Sequence, residues 1–328
     1  MDPQLTIIVP AYNAEKVLPA CLDCLRAQTV PVRILIVDDA SSDATAKIAR
    51  QASRTSPNVK LLTIPHGGPG PARRMGAAQV QTPYCAFIDA DDTLAPAFSA
   101  SMLAAALAHD ADVTFCAYQC IYDGVPRHVC FGGPADAIWD TRVPIRNHPN
   151  LLLSVPAYFW GKVFRTEYFR SHFRFSGEAG SYLEDVAAMY PFLVDVPVIA
   201  KVPEPLYRYA ISADSMCHAP RQELARLPAL RELHRRFEEL GALPAFLPQL
   251  YALNRCYLFD QLARLRSYVD PPHQHRVVRE YFRHLDSTLP GWRPHPFHPT
   301  FHAAYWHALV AWNAIRAKHR SRQRASRQ

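Results

Sequence analysis

Two carboxylates one residue apart, Asp89 and Asp91 in the run Phe87-Ile88-Asp89-Ala90-Asp91-Asp92, have a type and spacing that suggest chemistry. A D-x-D pair placed after an apolar run can serve a hard divalent cation that keeps waters and phosphate oxygens as its other ligands. The same cluster can instead cap the following helix, with Asp92-Thr93 at its start. A second acidic turn, Asp38-Asp39-Ala40-Ser41-Ser42-Asp43, follows the apolar run 33–37. A third acidic step, Glu184-Asp185, precedes the apolar Val186, Ala187, Met189 and Tyr190. A carboxylate there can accept a proton from an attacking hydroxyl, or it can simply favour a helix N-terminus.

The elements that must position these groups follow from hydrophobic periodicity. Short apolar runs at 5–9, 33–37, 59–64, 84–88 and 112–116 predict buried strands, and the patterns at 17–27, 44–52, 73–80 and 97–108 predict helices. Asp43 is placed to cap the helix at 44–52. Residues 66–71 predict a Gly/Pro loop. Strands alternating with helices imply a parallel, doubly wound sheet, whose ligands sit outside the carboxyl ends of the strands. Both Asp38/Asp39 and Asp89/Asp91/Asp92 fall there. Residues 118–215 are less regular, and helical patterns at 221–240, 246–267, 273–285 and 302–320 follow.

In order and spacing, three stretches together resemble the inverting nucleotide-sugar glycosyltransferases of family 2: Val9-Pro10-Ala11-Tyr12-Asn13, Val37-Asp38-Asp39-Ala40-Ser41-Ser42-Asp43 and Phe87-Ile88-Asp89-Ala90-Asp91-Asp92. Gly67-Gly68-Pro69-Gly70-Pro71-Ala72-Arg73 resembles that family's Gly-rich stretch. The resemblance is strong over residues 4–115. It is weaker through Trp160-Gly161-Lys162-Val163-Phe164-Arg165, Glu184-Asp185 and Tyr207-Arg208-Tyr209, and gives nothing beyond about residue 220.

The resemblance implies an α/β fold of GT-A type: a Rossmann-like, mostly parallel sheet flanked by helices. The helical patterns beyond residue 220 add a helical C-terminal region, so the expected division is a transferase domain at 1–218 and a helical region at 219–328. The resemblance also implies roles. Pro10, Ala11, Tyr12 and Asn13 would wall the nucleobase, and Asp39 would hydrogen-bond it. Asp89, with Ala90 beside it, would face the ribose, and Arg73 would lie beside the donor pocket. Asp91 would bind Mn²⁺ or Mg²⁺ bridging the diphosphate. Asp185 would be the general base, with Glu184 as the fallback. His218 would be a late ligand to metal or diphosphate, although a lone His more often lies at a surface or a cap. Lys162 and Arg208 would reach the phosphates. Trp160 would stack on an acceptor sugar, or belong to the core with Tyr158 and Phe159. Arg74 and His66 stand where the family usually has Asn; Arg74 reads as a diphosphate contact or as a solvated helix residue.

Composition narrows the classes. Hydrophobic residues make up 49% and charged residues 20% of 328, enough for a large core and against a disordered chain. Eight scattered cysteines, with Cys21-x-x-Cys24 inside a helical pattern, predict reduced thiols and a cytoplasmic setting. The start MDPQLTIIVP lacks a basic stretch, so no secretory leader is expected, and no apolar run is long enough to span a membrane. The net charge of +7 is concentrated. Six of the 36 Lys and Arg lie in residues 316–328, leaving 30 against 29 acids elsewhere. That argues against nucleic acid as a partner. The aromatic helix before this tail suits an anionic membrane surface, or packs on the body with a frayed end. The expected partners are a nucleotide-sugar donor, UDP-linked, and a glycan or lipid-linked acceptor. The competing classes are a nucleotidylyltransferase-like enzyme, which would need a Lys-bearing Gly-rich start, and a non-enzymatic binder of anionic surfaces, which leaves the carboxylates unexplained.

Overall fold

The computed structural model describes residues 2–130, 140–141, 144–175, 183–211, 226–254, 256–257, 280 and 284. The 218/219 boundary, His218, the last predicted helices and the basic tail lie outside them. The first half runs β1 (Leu5–Ala11), α1 (Leu18–Arg26), β2 (Val32–Asp38), α2 (Thr45–Thr55), β3 (Val59–Thr63), α3 (Pro69–Ala78), β4 (Tyr84–Phe87), β5 (Thr93–Leu94) and α4 (Phe98–Ala108). Then come β6 (Val113–Tyr122), β7 (Val125–Cys130), β8 (Asp140–Thr141), β9 (Lys162–Arg165), α5 (Thr166–His172), α6 (Glu184–Leu193), β10 (Ile199–Ile211), α7 (Arg226–Glu239) and α8 (Leu243–Asn254).

One sheet runs β3-β2-β1-β4-β9-β6-β10-β5, with β7 on β6 and β8 on β10. Strands β3, β2, β1 and β4 are parallel. β9 enters antiparallel between β4 and β6, and β10 lies parallel to β6. Both faces are covered, which is why β1 and β2 read as unbroken apolar runs rather than alternating ones. Ile7, Val9, Ile34 and Ile36 pack in the core that α1, α2 and α4 cover. Ile8, Leu35 and Val37 face the other core, which extends through α5 and α6 to Leu230, Leu233 and Phe237 of α7 and Phe246 and Leu250 of α8. Gly76 lets α3 press onto the sheet: a Cβ there would lie 2.6 Å from Ile8 Cγ2 and 3.0 Å from Val37 Cγ2.

Several local expectations change. Helix α3 starts at Pro69, inside the stretch expected to be a loop. Proline at the first helical position loses no bond, since that N–H has no intrahelical acceptor. Asp43 does not occupy the cap of α2, which falls to Ala44; Asp43 Oδ1 instead accepts the Thr45 N–H at 2.9 Å and Glu15 caps Ala44. The strand expected at 112–116 continues to Tyr122 and turns back into β7 through Asp123 (φ 48°) and Gly124 (φ 78°). Positive φ at both central residues is the hairpin geometry that Asp-Gly favours. Among the described residues, no helix is long and apolar enough to cross a membrane. None of the described cysteines forms a disulfide.

Candidate functional site

The carboxyl ends of β1, β2 and β4 open on one side of the sheet, and the acidic turns sit there. After β1, Tyr12 and Asn13 are exposed, while Pro10 is half-buried and Ala11 buried. Asn13 (φ 47°) ties this loop to the next one, its Oδ1 accepting the Ser42 N–H at 2.9 Å and its own N–H donating to Ser41 Oγ. The Tyr12 ring stacks on His66 with centroids 4.3 Å apart, leaving an aromatic surface at the mouth.

Asp39 is buried, and its two oxygens accept the Gly67 and Gly68 N–H groups, each at 2.8 Å. His66 Nδ1 lies 3.0 Å from Oδ2. One carboxylate after β2 thus shapes the Gly-rich loop ahead of α3, and each of its oxygens carries a backbone donor.

Arg73 projects from α3 into the centre of the site. Nη1 donates to Glu184 Oε1 and Nη2 to Asp89 Oδ1, both at 2.8 Å, and the guanidinium lies over the Phe159 ring at 4.9 Å. Gly70, one turn earlier, makes room: a Cβ there would meet Glu184 Oε2 at 2.6 Å. Arg73 therefore joins α3, the loop after β4 and the start of α6. Glu184 is buried and paired. Asp185, half-buried beside it, accepts the Val186 N–H at 2.8 Å and makes no ion pair among the described residues. Desolvation pushes the Asp185 carboxyl above its usual range against the opposing pull of that N–H and of Arg73.

Asp91 is exposed, with Ala90 half-buried beside it. Desolvation and the neighbouring Asp89 charge raise the Asp91 carboxyl. An all-oxygen pair that repels itself is the donor set a hard divalent cation relieves, so the residues fit Mg²⁺ or Mn²⁺. Asp92 does not cap α4, whose N-cap is Ala97. It is buried and faces β10, accepting the Tyr207 hydroxyl and, at 2.7 Å, the Ala210 N–H. Thr93 is in β5 rather than at a helix start.

The remaining expectations divide. Trp160 is buried between Tyr158, Tyr207 and Tyr209, at centroid distances of 4.3, 4.4 and 5.2 Å, so it belongs to the core and offers no face to a sugar. Lys162 is buried, donating to the Tyr158 carbonyl at 2.7 Å, and burial lowers its ammonium to about 7 against the opposing pull of Cys116 and Asp185. Arg208 is exposed, and its charge acts on Cys24 of α1. Arg74 is exposed, in keeping with a solvated helix residue. Sequence reasoning missed the Arg73–Glu184 pair and the Asp92–Tyr207 tie, because nothing local marks a partner so distant in the chain.

Residues 6–129 match the family model described as glycosyl transferase family 2. Over 229 residues the chain is 26% identical to EpsH of Bacillus subtilis (strain 168), a glycosyltransferase by name, covering 68% of this chain and 65% of EpsH. Over 94 residues it is 35% identical to the poly(ribitol-phosphate) beta-glucosyltransferase of Bacillus spizizenii, covering 27% of this chain and 15% of that protein. The chain thus spans less than two thirds of these relatives. S. aureus TarS 1–349, solved in complex with UDP-GlcNAc, superposes with a TM-score of 0.67 at 19% identity, over 87% of this chain and 81% of that one. The fold is the GT-A fold expected from the sequence.

Proposed function

We propose that this chain, which carries the family 2 segment over residues 6–129, is an inverting glycosyltransferase. It moves a sugar from a nucleotide donor, UDP-linked, to a hydroxyl of a glycan or lipid-linked acceptor in cell-surface polysaccharide synthesis. The observation that carries this reading is the division of labour around Arg73. That residue pairs with Asp89 and Glu184, while Asp91 and Asp185 make no ion pair among the described residues. The donor class is supported by the likeness to TarS, solved with UDP-GlcNAc, and the acceptor class by the poly(ribitol-phosphate) relative.

The nucleobase packs at the Tyr12–His66 surface, near the loop that Asp39 orders, and the ribose reaches Asp89. Asp91, with His218, would hold Mn²⁺ or Mg²⁺, which when bound neutralises charge developing on the departing diphosphate. Asp185 takes the proton of the acceptor hydroxyl as its oxygen attacks the anomeric carbon. The bond from that carbon to the diphosphate oxygen breaks, and the configuration inverts. A base so placed contributes roughly 10²–10⁴-fold. A raised pKa suits Asp185 to this role, because a stronger base still ionised at working pH takes the proton more readily. Glu184, neutralised by Arg73, holds the start of α6 in place.

A panel of UDP-, GDP- and dTDP-sugars with Mn²⁺ tests the reading. Turnover of a UDP-sugar is expected. No donor turnover, together with unchanged nucleotide binding in Asp91→Ala, rejects it. We place the enzyme in the cytoplasm, on the inner membrane face through the aromatic segment and basic tail of residues 301–328, which lie outside the described residues. Flotation with anionic liposomes, comparing the full chain with one truncated after Ala314, tests that placement; equal binding rejects it.

A further inference from the structure

The β6–β7 hairpin carries a cluster that plays no part in the transfer site. The ligand atoms of Cys120, His128 and Cys130 lie within 4.8 Å of one another. The ladder explains how they meet. Tyr118 pairs with Cys130 and Gln119 with Val129, but Ile121 pairs with Pro126, so the register shifts opposite Cys120. Two residues of β7, Arg127 and His128, then oppose one of β6. Such a bulge re-aims side chains at the point where it interrupts pairing. Alternation already places Cys120 on the same face as Tyr118, and with it Cys130 and His128. Cys120 is buried, Cys130 half-buried and His128 exposed, so the cluster has a buried floor and an open mouth. The Tyr122 ring lies 5.9 Å from the His128 ring.

We propose that Cys120, His128 and Cys130 form a zinc-class metal site, separate from the hard-cation site at Asp91. Two thiolates and an imidazole are the donors that select zinc over magnesium or manganese. With bonds of about 2.3 Å to sulfur and 2.0–2.1 Å to nitrogen, tetrahedral ligand atoms stand about 3.5–3.8 Å apart. Closing from 4.8 Å takes only a small side-chain adjustment, and water fills the fourth position. The ion would pin the hairpin beside β10, where Tyr209 pairs with Cys120 and the next residue, Ala210, is held by Asp92. The sequence hides this site because the C-x₇-H-x-C spacing matches no ribbon pattern and depends on the bulge.

The test uses the full chain, purified under reductant and stripped of metal. Zn²⁺ is titrated against a chromophoric chelator, and Co²⁺ is added to read the thiolate-to-cobalt charge-transfer band. The expected result is stoichiometric zinc and a thiolate band, both lost in Cys130→Ser, with zinc binding weakened in His128→Ala and both readouts unchanged in Cys24→Ser. His128 is exposed, so its variant folds without repacking a core. Absence of stoichiometric zinc overturns the proposal. So does binding insensitive to both hairpin variants, loss in Cys24→Ser, or zinc bound without a thiolate band, which would place it on carboxylates.

Discussion

Arg73 and Glu184, 111 residues apart in the chain, are joined by a 2.8 Å hydrogen bond from Nη1 to Oε1 inside a buried site. The same guanidinium holds Asp89, so one cation sets the spacing between the loop after β4 and the first turn of α6. Glu184 and Asp185 are sequence neighbours with different fates: one is neutralised by Arg73, the other desolvated without an ion pair among the described residues.

Removing that cation strands two carboxylates. Arg73→Met is expected to destabilise the fold by about 3–5 kcal/mol, the usual cost of breaking a buried pair from one side. Thermal and denaturant melts measure it. Gly70→Ala is expected to act on the same pair from the other side by displacing Glu184. A Gly70→Ala protein with unchanged melting and nucleotide binding would show the contact to be slack.

Asp185→Asn is expected to lower kcat by roughly 10²–10⁴-fold with donor binding retained. Glu184→Gln is expected to cost stability more than kcat, and the reverse pattern would exchange their roles. The pH profile follows from the raised Asp185 pKa. The base form appears only as pH rises past that value, so the acid limb of kcat lies above the ~3.9 of a free Asp. For stability the sign is opposite. The folded state holds this proton more tightly than the unfolded one, so stability falls as pH rises through the raised value. Asp185→Asn is therefore expected to melt higher than the parent at neutral pH, with the gain vanishing at acid pH.

Asp91→Ala is expected to abolish the Mn²⁺-dependent part of UDP binding and leave metal-free binding unchanged. Because Asp91 is exposed and repelled by Asp89, its loss is expected to leave the melting temperature equal or slightly higher. Isothermal titration with and without Mn²⁺ separates the two.

Lys162 supplies a second pH signature. Its ammonium is lowered to about 7 by burial, against ~10.4 in an unfolded chain. Between those values the unfolded state binds more protons, so stability rises with pH across that window. Lys162→Met is expected to melt higher than the parent below pH 7, and the difference is expected to close as pH approaches about 10. Paired melts across this range check it; a constant offset would mean that packing alone is responsible.

The strand ends were readable because β1, β2 and β4 are buried on both faces, so each apolar run stops where the chain meets the cleft. That placed Asp39, Asp89 and Asp91 at one crevice from local pattern alone. What was not readable depends on partners far along the chain. Asp92 reads as a cap but is taken by Tyr207 and Ala210. The Gly/Pro stretch reads as a loop but becomes the first turn of α3, because Asp39 takes its preceding N–H groups. Trp160 reads as a sugar platform or as core, and only the stack with Tyr158, Tyr207 and Tyr209 decides it. β9 is four residues long and leaves no periodic signal, yet it bridges the two halves of the sheet.

The late arrival of β9 sets an order on synthesis. Strands β1 to β4 and their crossovers can assemble from the first 87 residues, but the free side of β4 is closed only by Lys162–Arg165. Until those residues leave the ribosome, Tyr84–Phe87 presents unpaired N–H and C=O groups on an apolar strand, the kind of edge on which nascent chains join one another. Fragments ending before residue 162 therefore carry an aggregation hazard that the full chain buries, and any truncated form is best cut beyond β9.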